Sequence, residues 1–76
     1  MTSTVQNEVF GLIRNSTGTA PASLDQRLGD DLKLDSLDFV RLLMDLEDNF
    51  GVKIPGTDAV GFATVGDVVR YLEAHP

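Results

Sequence analysis

The sequence predicts a small all-α bundle: three main helices, one short helix and a long first loop. Three observations carry that expectation. Apolar residues recur at helical spacing in three separated stretches, around Val5–Ile13, Phe39–Phe50 and Val65–Leu72. No stretch of useful length alternates apolar and polar residues with the period of a strand. There is no cysteine and no Cys/His cluster, so helix packing must do the work that disulfides or zinc do in other small chains. One domain, residues 1–76, is expected. A chain of this size buries only about 60% of its unfolded surface, so the core is thin.

The elements follow in order. Ser3 and Gln6 form a capping-box pattern that can start a helix. Val5, Val9, Leu12 and Ile13 share one face of it, and Phe10 extends that face. Asn15 to Ser23 contains Asn, Ser, Thr, Gly and Pro and no charge, so it should end the helix and begin a loop. Leu24, Leu28, Leu32 and Leu34 should pin that loop to the core, with a turn of helix near Asp25–Leu28. A loop this long in a compact domain is usually functional. Helix two is expected from about Leu37 to Phe50, closed by Gly51. Val52-Lys53-Ile54-Pro55 reads as an extended connector. Thr57 or Asp58 can cap a brief turn, Ala59 to Phe62. Thr64 and Asp67 make a variant capping box for a last helix, Val65 to about Ala74, with Val65, Val68, Val69 and Leu72 on one face.

Charge narrows the partners. The net charge is −6, and residues 25–58 hold nine acids against four bases. Nucleic acid and anionic membrane surfaces favour basic faces, so basic protein partners are expected instead. No apolar run approaches membrane-spanning length. The N-terminal Met1-Thr2-Ser3-Thr4 has neither a basic nor an apolar signal region, which makes the cytoplasm the expected location and leaves the Asn15-Ser16-Thr17 sequon without a glycosylation role.

The stretch that matters most is Asp31-Leu32-Lys33-Leu34-Asp35-Ser36-Leu37-Asp38. It places Ser36 where a polar loop runs into helix two. A serine there is by default an N-cap. A phosphate-bearing serine is physically supported at the same place, because unpaired N–H groups and the positive end of the helix dipole stabilise an anion. Catalysis is disfavoured: the only histidine is His75, and no Gly-x-Ser-x-Gly elbow surrounds Ser36. Ser36 therefore reads as a substrate for another enzyme's chemistry. The neighbouring acids Asp30, Asp31, Asp35 and Asp38 do not match a Ca²⁺ loop, and no metal site is expected.

Helix two has more apolar surface than one core stripe needs. At about 100° per residue, Phe39, Leu42, Leu43, Leu46 and Phe50 form the stripe. Leu37, Val40 and Met44 lie beside it on the Ser36 arc, and Asp38, Arg41, Asp45 and Asp48 follow on the next arc. Leu37, Val40 and Met44 either widen the core or form a docking patch rimmed by carboxylates.

Three blocks now combine: the Ser36 stretch with Leu42-Leu43-Met44-Asp45-Leu46-Glu47, then Phe50-Gly51-Val52-Lys53-Ile54-Pro55, then Thr64-Val65-Gly66-Asp67. In this order and spacing, over about Leu28 to Leu72, the sequence strongly resembles the acyl carrier proteins. The resemblance implies a four-helix carrier bundle, monomeric, with 4′-phosphopantetheine transferred covalently from coenzyme A to Ser36 by a phosphopantetheinyl transferase. The arm's thiol would hold an acyl group as a thioester, supplying the thiol the chain lacks. Asp35 occupies the position that contributes to the transferase's Mg²⁺ site. Carried over to helix two, Leu37, Val40 and Met44 are apolar contacts, and Asp38, Glu47 and Asp48 meet basic residues on loading, elongating and acyl-transfer enzymes of fatty-acid, specialised lipid or polyketide synthesis. The resemblance also raises the prospect of acyl chains held between the helices.

Two positions depart from the family. Lys33 replaces a customary glycine, and Arg41 stands where an acid is common. Arg41 either pairs with the acids around it or breaks the negative stripe that partners read. Two other functions remain to be weighed: an aminoacyl or peptidyl carrier, from which Leu34-Asp35-Ser36-Leu37 leans away, and a cofactor-free helical interaction module. An enzyme in its own right has no catalytic constellation to rest on.

Overall fold

The structure, a computed structural model, describes residues 4–74. Four helices follow in order: α1 (Thr4–Thr17), α2 (Ser36–Phe50), α3 (Gly56–Ala59) and α4 (Val65–Ala74). Among the described residues there is no strand, only an isolated antiparallel bridge between Arg27 and Thr64. Helix α1 packs against both α2 and α4. The expected Ser3 cap and His75 lie outside the described residues.

The core forms where the apolar faces meet. Val9 and Ile13 of α1, Leu42 and Leu46 of α2, Ala59 of α3, and Val65, Val68, Val69 and Leu72 of α4 are buried, with Leu28 and Ile54 from the connections. Phe39, Leu43 and Phe50 flank it half-buried. These are the faces that the spacing predicts.

Helix α1 runs further than expected, through Asn15 and Ser16 to Thr17. At the end of this extension the Thr17 hydroxyl donates back to the Ile13 carbonyl at 2.9 Å. Gly18 then ends the helix at φ 83°, a conformation that glycine adopts without strain. Its N–H donates to the Arg14 carbonyl at 2.7 Å.

The loop from Gly18 to Asp35 is pinned by leucines as anticipated: Leu28 is buried, and Leu24, Leu32 and Leu34 are half-buried. No turn of helix forms at Asp25–Leu28. The backbone there pairs instead with the start of α4. Val65 donates to the Gln26 carbonyl at 3.0 Å, Gly66 to the Leu24 carbonyl at 2.8 Å, and Leu28 to the Ala63 carbonyl at 3.0 Å. Two N–H groups that a helix start leaves unpaired thus find acceptors on the loop. Gly66 suits this approach, because a Cβ there would lie 3.1 Å from the Leu24 carbonyl oxygen.

The Thr64/Asp67 capping box forms as its spacing predicts. Thr64 donates its N–H to Asp67 Oδ2 at 3.0 Å, and Asp67 returns its N–H to Thr64 Oγ1 at 3.2 Å. Ala63 N–H reaches the same carboxylate oxygen at 2.9 Å, and Arg70 Nη2 reaches Oδ1 at 2.6 Å. The Ala63 and Thr64 backbone donors, then Arg70, hold the Asp67 carboxyl below the ordinary aspartate range. Asp67→Ala is expected to lower the unfolding free energy by about 1 kcal/mol near neutral pH, read from urea midpoints. A lowered folded value means that the stabilisation is full above the ordinary carboxylate range and is lost as pH falls through the lowered value. The two midpoints should therefore converge in acid; a gap that widens there would contradict this account.

Helix α3 begins earlier than the expected Ala59–Phe62 turn. Pro55, at φ −60°, leads into it, and its carbonyl accepts from Asp58 and Ala59 at 3.0 Å each. Neither Thr57 nor Asp58 caps it. The Asp58 carboxylate instead accepts the Tyr71 hydroxyl at 2.7 Å, and Tyr71 meets Phe62 edge to face at 5.3 Å. That hydrogen bond, which favours the protonated phenol, raises the Tyr71 hydroxyl above its ordinary value.

Candidate functional site

Ser36 is the first residue of α2, and the cap is Asp35. This corrects the default reading of Ser36 as the N-cap. Asp38 donates its N–H to Asp35 Oδ1 at 2.8 Å, and Asp35 donates its own to Asp38 Oδ2 at 3.4 Å. The sequence signal is the same acid-for-Glu capping box as at Thr64/Asp67. It was masked by the preference for serine as a cap. The consequence is chemical. The Ser36 side chain is exposed, and its hydroxyl makes no hydrogen bond among the described residues. In the first turn, Phe39 donates to the Asp35 carbonyl at 2.9 Å and Asp38 to the Asp35 carboxylate. The N–H groups of Ser36 and Leu37 have no acceptor among the described residues and remain for solvent or an anion.

Beside Ser36 lies an open cleft of about 270 Å³. Leu28 and Leu34 of the loop, Phe39 of α2, and Ala59, Val60 and Phe62 of the α3 region give it an apolar lining, and Asp35 and Ser36 also border it. Leu37, Val40 and Met44 are 60%, 49% and 57% exposed. That excludes the wider-core reading and leaves an apolar face on α2, on the arc of Ser36. Val60, at 85% exposure, adds an apolar group across the cleft. Sequence reasoning missed it because α3 is too short to show a helical period.

The acids are placed unequally. Asp48 and Asp45 are exposed, whereas Asp38 is half-buried within the capping box. Glu47 is half-buried, and its Oε2 accepts from Ile54 N–H at 2.7 Å, which ties α2 to the connector before α3. Among the described residues, no three acids or histidines are placed to hold a metal ion.

A serine freed at a helix start, beside an apolar cleft, is an arrangement suited to a tethered group. Residues 7–72 match the phosphopantetheine attachment site family. The chain belongs to the acyl carrier proteins. That membership brings an acyl-carrier function and a 4′-phosphopantetheine prosthetic group. Among its relatives, this carrier is 51% identical to the acyl carrier protein of Lactobacillus johnsonii over 67% of its own length. It spans 64% of that protein. It is 38% identical to the Rhodococcus erythropolis acyl carrier protein, over 87% of this chain and 75% of the relative. The meromycolate extension acyl carrier protein of Mycolicibacterium smegmatis is 40% identical, over 96% and 79%. A solved Mycobacterium tuberculosis structure, assigned as an acyl carrier protein, superposes with a TM-score of 0.87 at 32% identity, covering 92% of this carrier and 96% of that chain.

The two departures acquire structural meaning in this carrier. Lys33 sits at φ 61°, and it is the one non-glycine with positive φ among the described residues. A side chain in this left-handed conformation costs roughly 1–2 kcal/mol, which explains why glycine is customary there. Glycine loses more backbone entropy on folding, by about 0.5–1 kcal/mol. Lys33→Gly is therefore expected to stabilise this carrier by up to about 1 kcal/mol, measured as a higher urea midpoint. A lower midpoint would show that Lys33 makes a compensating contact. Arg41 does not pair with the acids around it: among the described residues, the ion pairs are Arg27–Asp30 and Arg70–Asp67.

Proposed function

We propose that Ser36 Oγ is the attachment point of the phosphopantetheine arm, and that the chain acts as a carrier rather than a catalyst. The observation that carries this reading is the assignment of the cap to Asp35, which leaves the Ser36 hydroxyl exposed and unengaged. In the transfer, Ser36 Oγ loses its proton and bonds to the phosphorus that bears pantetheine, and the nucleotide half of coenzyme A leaves. Asp35 keeps Oδ1 on the Asp38 N–H, so its Oδ2 is the oxygen available to a Mg²⁺ ion held by the transferase. The free Ser36 and Leu37 N–H groups and the helix dipole support the phosphodiester. The bound arm supplies the thiol that holds an acyl group as a thioester. The apolar cleft beside Ser36 suits the first part of an acyl chain.

Docking is assigned to Leu37, Val40 and Met44, with Asp38, Glu47 and Asp48 facing basic residues on the transferase and on loading, elongating and acyl-transfer enzymes. Glu47 contributes mainly through its Oε1, because Oε2 is engaged with Ile54. Fatty-acyl or related lipid cargo is favoured over aminoacyl cargo by the apolar cleft and by relatives named for meromycolate extension. The family reading favours action as a cytoplasmic monomer, and no helix among the described residues is long and apolar enough to cross a membrane. Incubation with coenzyme A, Mg²⁺ and a broad-specificity transferase should raise the intact mass by one phosphopantetheine, and fragmentation should locate it on Ser36. An unchanged mass, or an arm on another residue, would overturn the assignment.

A further inference from the structure

We propose that Arg41 is a docking residue of reversed sign, which selects partner enzymes bearing a carboxylate between the basic residues of their docking patch. The proposal rests on the carrier reading above and concerns which enzymes the carrier serves.

Arg41 is exposed on α2, three residues after Asp38 and four before Asp45, positions from which an ion pair on one helix is possible. Neither pair forms. A guanidinium has five donors and no acceptor, and its flat fork matches a carboxylate. Left unpaired in a chain of net charge −6, it is available to a group from outside. It also borders a groove of about 320 Å³ between the end of α1 and α2, with Asn15, Ser16, Asp38, Met44 and Asp45. The amide of Asn15 and the hydroxyl of Ser16 can donate to the same incoming carboxylate. Met44 joins the groove to the exposed apolar face, so a partner seated on Leu37, Val40 and Met44 reaches Arg41 in the same encounter.

Charge complementarity fixes the partner's pattern. Along α2 the carrier presents Asp38, Arg41 and Asp45 in turn. A wholly basic patch would set a like charge against Arg41, which suppresses that pairing. A basic–acidic–basic patch satisfies all three.

The test uses a β-ketoacyl synthase with a wholly basic carrier-docking patch, and a set of its variants in which each basic patch residue is replaced in turn by Glu. Wild-type carrier, R41Q and R41E are each loaded with phosphopantetheine and the same acyl group, confirmed by mass, and compared by kcat/KM. The unmodified synthase should favour R41E over wild type by about tenfold, with R41Q between them. One Glu variant should reverse that order. If the ratio of wild type to R41E is the same across the whole set, including no turnover throughout, the assignment of Arg41 fails. Failure of all three carriers to load would instead overturn attachment at Ser36, and this proposal with it.

Discussion

Ser36→Ala should remain folded and take up no phosphopantetheine. The Ser36 side chain is exposed and makes no hydrogen bond among the described residues, so its removal should change stability by no more than about 0.5 kcal/mol. The transfer, in contrast, loses its acceptor oxygen altogether. Asp35→Ala is the complementary variant. It keeps the hydroxyl but removes the capping carboxylate from the Asp38 N–H, which costs about 1 kcal/mol. Intact mass after incubation with coenzyme A and transferase, paired with urea denaturation, separates the two. Ser36→Ala should fail in mass and pass in stability. An arm that still attaches to Ser36→Ala would place the modification elsewhere.

Leu46→Ala, together with the equivalent Leu42→Ala, should be the most destabilising kind of simple truncation on α2. Leu46 is fully buried within the cluster that includes Val9 and Ile13 of α1 and the valines of α4. Such truncations lose transfer free energy and leave a cavity, typically 2–5 kcal/mol in all. A small domain has few kcal/mol in reserve, so the loss approaches the whole stability of the fold. Met44→Ala, on the same helix at 57% exposure, should change stability by less than about 0.5 kcal/mol. Thermal melts of the pair check the contrast. Equal losses would mean that Met44 is part of the core and that the exposed face is misassigned.

The readable parts of the sequence were those set by local chemistry. The core stripe of α2, with Leu42 and Leu46 at its centre, followed from helical spacing, whereas spacing left open whether Val40 and Met44 belonged to the core, and their exposure decided it. The start of α4 followed from Thr64 and Asp67, because a capping box is satisfied within one turn, and its extent from the shared face of Val65, Val68, Val69 and Leu72. Three features were not legible. The Gln26 and Leu24 carbonyls accept from the start of α4, a pairing between distant segments that no local pattern announces. Helix α3 is held by Asp58–Tyr71 and Phe62–Tyr71, contacts with α4, so its own residues carry little helical signal. The cap of α2 is ambiguous in the sequence because Asp35 and Ser36 are both good caps, and only the backbone shows that Asp35 stands outside the helix. At the site, the resemblance pointed to Ser36, whereas the exposure of Val60 and the unpaired state of Arg41 required the fold.

The slightness of α3 has a thermodynamic consequence. This wall of the cleft is a single helical turn that buries only Ala59. Its side-chain links to the main bundle include one hydrogen bond, one ring contact and the Glu47–Ile54 bridge at its approach. Segments with so little buried apolar surface open locally at a fraction of the free energy of global unfolding. The cleft is therefore better described by an opening equilibrium than by a fixed volume. An apolar group that enters it gains about 25 cal/mol for each Å² of apolar surface removed from water, and can draw on that gain to displace α3 while α1, α2 and α4 stay packed. Its capacity is then set by how far that turn can swing, a quantity that α3 and its tethers can tune with the rest of the bundle unchanged.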